Sequence, residues 1–146
     1  MAAPRFEEAS RSLFGAVRLA RGDTRGLDFI DRSPEAAARS FYGALLVLPI
    51  FAIIEAIQLS GRTIEAGLFR ILVVEALGYV IGWTAFQTVM IWLTTLLQRQ
   101  ERYFDFLDTY NWVTVVQMTV YFPVAVIVGL GLLPLGVVGA LSWIVT

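Results

Sequence analysis

The chain contains no cysteine and no histidine. Disulfides, thiolate ligands, thiol nucleophiles and imidazole acid–base chemistry are therefore excluded within it. A Ser-His-Asp triad falls for want of histidine, and no Gly-rich phosphate loop is present. Lysine is missing too, so all eleven basic residues are arginine. Together with abundant Ala and Gly, this points to GC-rich codon usage and a bacterial source. Charge of either sign is scarce, at 16% of 146 residues against about a quarter in a globular domain. The net charge of −1 gives no reason to expect nucleic acid. No cofactor, metal or catalytic constellation is expected, and the chain reads as a non-enzyme.

What is present is apolar. Hydrophobic residues make up 58% of the chain, and the mean hydropathy is +0.71. Charges are also unevenly spread, since Thr109 to Thr146 contains none. Such a stretch cannot face water. The expected fold class is an all-α, polytopic helical membrane protein. It combines an N-terminal amphipathic helix with three full transmembrane helices and a truncated fourth.

Residues 1–32 form a polar segment with six Arg. From Arg5 to Arg21, Phe6, Ala9, Leu13, Val17 and Ala20 fall in one arc of a helical wheel, with Phe14 and Ala16 at its edges. Glu7, Glu8, Arg11 and Arg18 lie opposite. That is an amphipathic helix, with Gly22-Asp23 as its stop. It suits two places: the surface of an anionic bilayer, with Arg reaching phosphates, or the end of its own helical bundle.

The remainder, 33–146, is the transmembrane domain. Ser33, Pro34 and Glu35 make a helix start, as N-cap, first helical residue and dipole complement. Spans are expected at about 36–59, 70–98 and 111–133, each long enough for a hydrocarbon core of about 30 Å. Gly61, Arg62 and Thr63 form the first turn, and Gln98 to Asp108 a charged aromatic connector. Tyr103, Phe104, Phe106, Tyr110 and Trp112 read as an interfacial belt. A turn near Pro134 leads into 135–146, an incomplete fourth span of roughly 18 Å. Nine Arg flank one side of the spans and two the other, which puts the N-terminus in the cytoplasm and the protein in the bacterial inner membrane.

Within the spans, ionisable residues are costly and draw attention. Glu55 and Arg70 fall at similar depth in an antiparallel hairpin and are expected to pair. Glu75 has no such partner and lies on the face of Gly78 and Gly82, a close-approach packing motif. Opposite it is Pro49, which frees the Leu45 carbonyl and offers Glu75 a hydrogen-bond acceptor. Pro123 likewise frees the Thr119 carbonyl, so both prolines are candidate kinks. Gln87, Thr114, Gln117 and Thr119 suggest interhelical hydrogen bonds.

The polar N-terminal segment, the aromatic connector, Tyr121-Phe122-Pro123 and Leu132-Leu133-Pro134-Leu135-Gly136 resemble the bacterial branch of the Ypt-interacting protein (Yip) domain family over residues 36–146. The resemblance implies five transmembrane helices and a cytoplasmic N-terminus. The eukaryotic branch is linked to Rab GTPases and vesicle traffic. The acidic Gly-Pro-type motif before the first span in that branch is absent here, so no functional residue is carried over. Two functions compete. One is a scaffold, adaptor or membrane-organising protein whose partners are the bilayer, other membrane helices or further copies of itself. The other is a subunit or fragment of a small transporter or channel using its intramembrane carboxylates.

Overall fold

The computed structural model describes residues 4–31, 33–60 and 67–132. The expected first turn and the expected fourth span at 135–146, with the turn expected before it, lie outside the described residues. Five helices follow in order: α1 (Phe6–Ala20), α2 (Pro34–Ser40), α3 (Tyr42–Ser60), α4 (Leu68–Leu96) and α5 (Tyr103–Gly129). A short 3-10 helix, Thr24–Phe29, joins α1 to α2, and another, Gln100–Arg102, joins α4 to α5.

Local chemistry accounts for the helix ends. Ser33 caps α2 by accepting from the Ala36 N–H at 3.1 Å, and Pro34 fills the first helical position. At the end of α1, Gly22 adopts φ +81°. There the Gly22 and Asp23 N–H groups donate to the Leu19 and Arg18 carbonyls, a Schellman closure. α4 ends in the same way, but Gln98 stands in the left-handed position, at φ 53°. A side chain pays there for what glycine adopts freely.

Three helical segments, Pro34–Ser60, Leu68–Leu96 and Gln100–Gly129, are long and apolar enough to cross a membrane. α3 and α4 begin and end near the expected span boundaries, but α5 starts earlier than expected. The aromatic half of the expected connector is helix: Leu107, Asp108, Asn111, Trp112 and Val115 recur at helical spacing and are all buried. Trp112 is therefore core rather than belt, at 2% exposure. Both Pro49 and Pro123 sit inside continuous helices.

α3 and α5 pack closely along their length. A Cβ on Gly43 would lie 2.8 Å from Val115 Cγ2, and one on Gly129 would lie 2.6 Å from Ile57 Cγ2. Both ends of this pair need a residue without a side chain. α1 folds back onto α5 and the first 3-10 helix. It buries Ser12, Gly15 and Ala16; of the expected arc, Ala9 and Leu13 pack beside Ala16 and are partly buried, while Phe6 is 87% exposed. The reason is again close approach: a Cβ on Gly15 would come within 2.7 Å of the Gly26 carbonyl oxygen. Small residues let the backbones touch, while the Phe6 and Phe14 rings turn outward.

Candidate functional site

At the end of the bundle that carries α1, four helices meet in a buried polar junction. Gln87 on α4 donates its amide to Asn111 Oδ1 on α5 at 2.5 Å. Asn111 in turn donates to Ser40 Oγ on α2 at 2.7 Å, and Ser40 donates to the Ala37 carbonyl at 2.7 Å. Asn111 is fully buried, Ser40 is 1% exposed and Gln87 3%. This chain of bonds satisfies groups that would be costly to leave unpaired in an apolar surrounding. Around it pack Trp112, Trp83, Val47, Val115 and Ala16 of α1.

Asp108 lies one turn before Trp112, ahead of the uncharged 109–129 stretch of α5. It is 1% exposed, and neither carboxyl oxygen has a hydrogen-bond partner among the described residues. The charges bearing on it are the carboxylates of Asp31 and Glu8. Glu8 on α1 is itself bonded to Arg39 on α2, Nε to Oε1 at 2.8 Å.

Beyond the junction the helices part. A cleft of about 440 Å³ opens between α3, α4 and α5. Its walls carry Glu55, Gln58, Tyr79, Tyr110, Gln117 and Tyr121 among apolar side chains. Gly78 and Gly82 line this cleft, and a Cβ on either would meet nothing within 4 Å. The close approach expected of this motif is made by Gly43 and Gly129 instead. Tyr79, one turn on from Glu75, donates its hydroxyl to the Ala44 carbonyl of α3. The α4-to-α3 bond expected of Glu75 towards Leu45 is thus made by a longer side chain to the neighbouring carbonyl.

Glu75 is half-buried, does not line the cleft, and has no hydrogen bond or ion pair among the described residues. Arg70 is exposed, and no ion pair among the described residues includes it. Pro49 is exposed on the outer side of α3. Gln87 bonds across helices, whereas Thr114 and Thr119 donate to the Tyr110 and Val115 carbonyls of their own helix, each at 2.8 Å. Ser40, Asp108 and Asn111 were not legible as a site. The signal that could have found them is the spacing 108, 111, 112, 115, which extends the α5 face into the charged connector.

Fold and site together define the class: an all-α, multi-pass membrane protein with three helices able to cross a bilayer. Among known proteins, no family model, no curated protein and no solved structure matches the chain.

Proposed function

We propose that the chain is a non-enzymatic integral membrane protein of Yip-like type, a scaffold or adaptor in the bacterial inner membrane with a cytoplasmic N-terminus. The observation that carries this reading is the way α1 is held. Its small face and the Glu8–Arg39 pair fix it to the bundle, while Phe6 and Phe14 remain 87% and 53% exposed. A docked helix with outward aromatic rings and exposed Arg5 and Arg21 suits a bilayer surface with anionic head groups, or a partner held at that surface.

A photo-crosslinking residue at Phe6 or Phe14 in intact cells is expected to trap protein or phospholipid. The same residue at Ser12, on the buried face, should trap only the chain itself. Protein adducts support the adaptor role and lipid adducts the membrane-organising one. The absence of both overturns the proposal.

The cleft favours one second reading, a small transporter or channel subunit, because Glu55 and several polar or phenolic neighbours line a space of ligand size. A proton flux across reconstituted vesicles, lost in Glu55→Gln, would establish it over the scaffold.

A further inference from the structure

The buried carboxyl of Asp108 lies beside the hydrogen-bonded chain, next to Ser40 and Trp112. In an apolar surrounding, a carboxylate is retained when it is paired, ligated or carries a proton. Asp108 is 1% exposed; Trp112 and Ser40 stand beside it, but neither makes a hydrogen bond of good geometry to its carboxyl oxygens. No group of acidic side chains able to hold a metal ion exists among the described residues. The charged groups that act on it are Asp31 from the loop before α2 and Glu8 from α1, and Glu8 is itself bonded to Arg39 of α2. The charged residues of α3 and α4, Glu55, Arg70 and Glu75, belong to the far part of the hairpin. Both charges that act on Asp108 are negative, and both oppose a further anion.

Asp108 also occupies a structurally sensitive place. One turn on, Trp112 packs in the same cluster as Ala16 of α1, with Ala9 and Leu13 alongside. On the other side stand Ala37 and Ser40 of α2, both buried. Anything that forces water towards Asp108 must separate α1 and α2 from α5.

We propose that Asp108 is a proton-binding site that latches α1 onto the bundle. The neutral carboxyl is compatible with the closed junction. Loss of its proton leaves an anion beside Glu8 and Asp31 in a space without water, and the junction opens by releasing α1. The only atom transferred is the proton, which passes to solvent. The inference does not depend on what the outer face of α1 contacts, so it stands or falls separately from the scaffold reading.

The chain's lack of cysteine makes a clean test possible. Ser12→Cys places a single thiol on the buried face of α1, and Ser10→Cys places one on its exposed face. Each full-length variant is held in phosphatidylcholine nanodiscs and its maleimide reactivity followed from mildly acidic to mildly alkaline buffer. Dividing by the Ser10→Cys rate removes the ionisation of the thiol itself. The ratio is expected to rise about tenfold for each pH unit through the titration. Asp108→Asn should hold it at its low value throughout, and Asp108→Glu should keep the rise. A flat ratio in the chain with native Asp108 overturns the proposal. So does an unchanged rise in Asp108→Asn. If Asp108→Asn fails to fold, infrared spectroscopy of the native chain decides: a protonated carboxyl band lost on alkalinisation in step with the rise in ratio supports the latch, and its absence at mildly acidic pH overturns it.

Discussion

The two ends of this bundle use the same kinds of residue to opposite effect. At the α1 end, glycine at 43 lets α3 touch α5, and polar side chains from α2, α4 and α5 are consumed by one another. Towards the far end of α4, glycines at 78 and 82 face open space, and polar side chains line a cleft. α4 shows the change along a single helix. Trp83 and Gln87 are buried, while Leu68, Phe69 and Leu72 are 71%, 81% and 58% exposed. In lipid, apolar exposure costs nothing, so helices adhere through packing and hydrogen bonds rather than through hydrophobic burial. A helix adheres only where its side chains find such partners, and α4 finds them near the α1 end.

That contrast can be broken most severely at Trp112. Trp112→Ala would empty the centre of the buried cluster, at a cost of about 3–5 kcal/mol. Phe69→Ala, at a site 81% exposed at the far end of α4, should change stability by less than about 0.5 kcal/mol. Thermal unfolding in detergent measures both, and similar losses would mean that the two ends are equally packed.

The glycines give the next largest effect. Gly43→Leu forces a side chain into Val115 and should cost about 1–3 kcal/mol. Gly78→Leu and Gly82→Leu fill open space and should be nearly silent in the same assay. A large loss at Gly82 would show that another helix occupies the cleft.

Tyr79→Phe removes the hydroxyl that ties α4 to the Ala44 carbonyl. Single interhelical bonds of this sort contribute about 0.6 kcal/mol on average. The loss should therefore be small but measurable, and the rings of Phe51 and Trp83 beside Tyr79 should hold α4 in place. Labelling of a cysteine placed at Gly78 should rise if the cleft widens.

How far the sequence could lead follows from the same physics. Long uncharged runs are governed by bilayer thickness, so the spans on α3 and α4 were legible from composition alone. The cap at Ser33 and the stop at Gly22 are local chemistry and were legible too. The start of α5 was not, because charged residues between 98 and 108 suggested a connector. There, Leu107 and Asp108 are buried by α1 and α2, which lie far away in sequence. Gly78-x-x-x-Gly82 misled for a related reason: the motif permits close approach, but whether a partner comes depends on the other helices. Glu75 and Tyr79 share a face, and only geometry tells which side chain reaches α3. Asp108 was placed at the end of the charged connector, since nothing local announces that helices so far away in sequence will cover it.

The smallest expected effect separates the α1 unit from the bundle it rests on. Asp23, just past the end of α1, accepts from Arg18 Nε at 2.8 Å and from the Arg25 N–H at 3.0 Å. The bond from Arg18 is the main cause that holds the Asp23 carboxyl below its usual value of 3.8, with the Arg25 N–H second. A carboxyl depressed in the folded state contributes stability that is fully present above its unfolded value and is lost as pH falls through the folded one. The α1 turn should therefore loosen in acid, below pH 3.8. Asp108 acts in the other direction, releasing α1 in alkali. Arg18 also stacks over Phe14 and Phe29, at 5.9 and 5.4 Å from their ring centres. Arg18→Gln should thus return the Asp23 midpoint, followed by carbon-13 NMR of its carboxyl, to the ordinary range. Asp23→Asn should remove the acid loosening while leaving the alkaline release intact. A single substitution that abolished both would mean that the turn and the junction open as one unit, and that the α1 end has one latch rather than two.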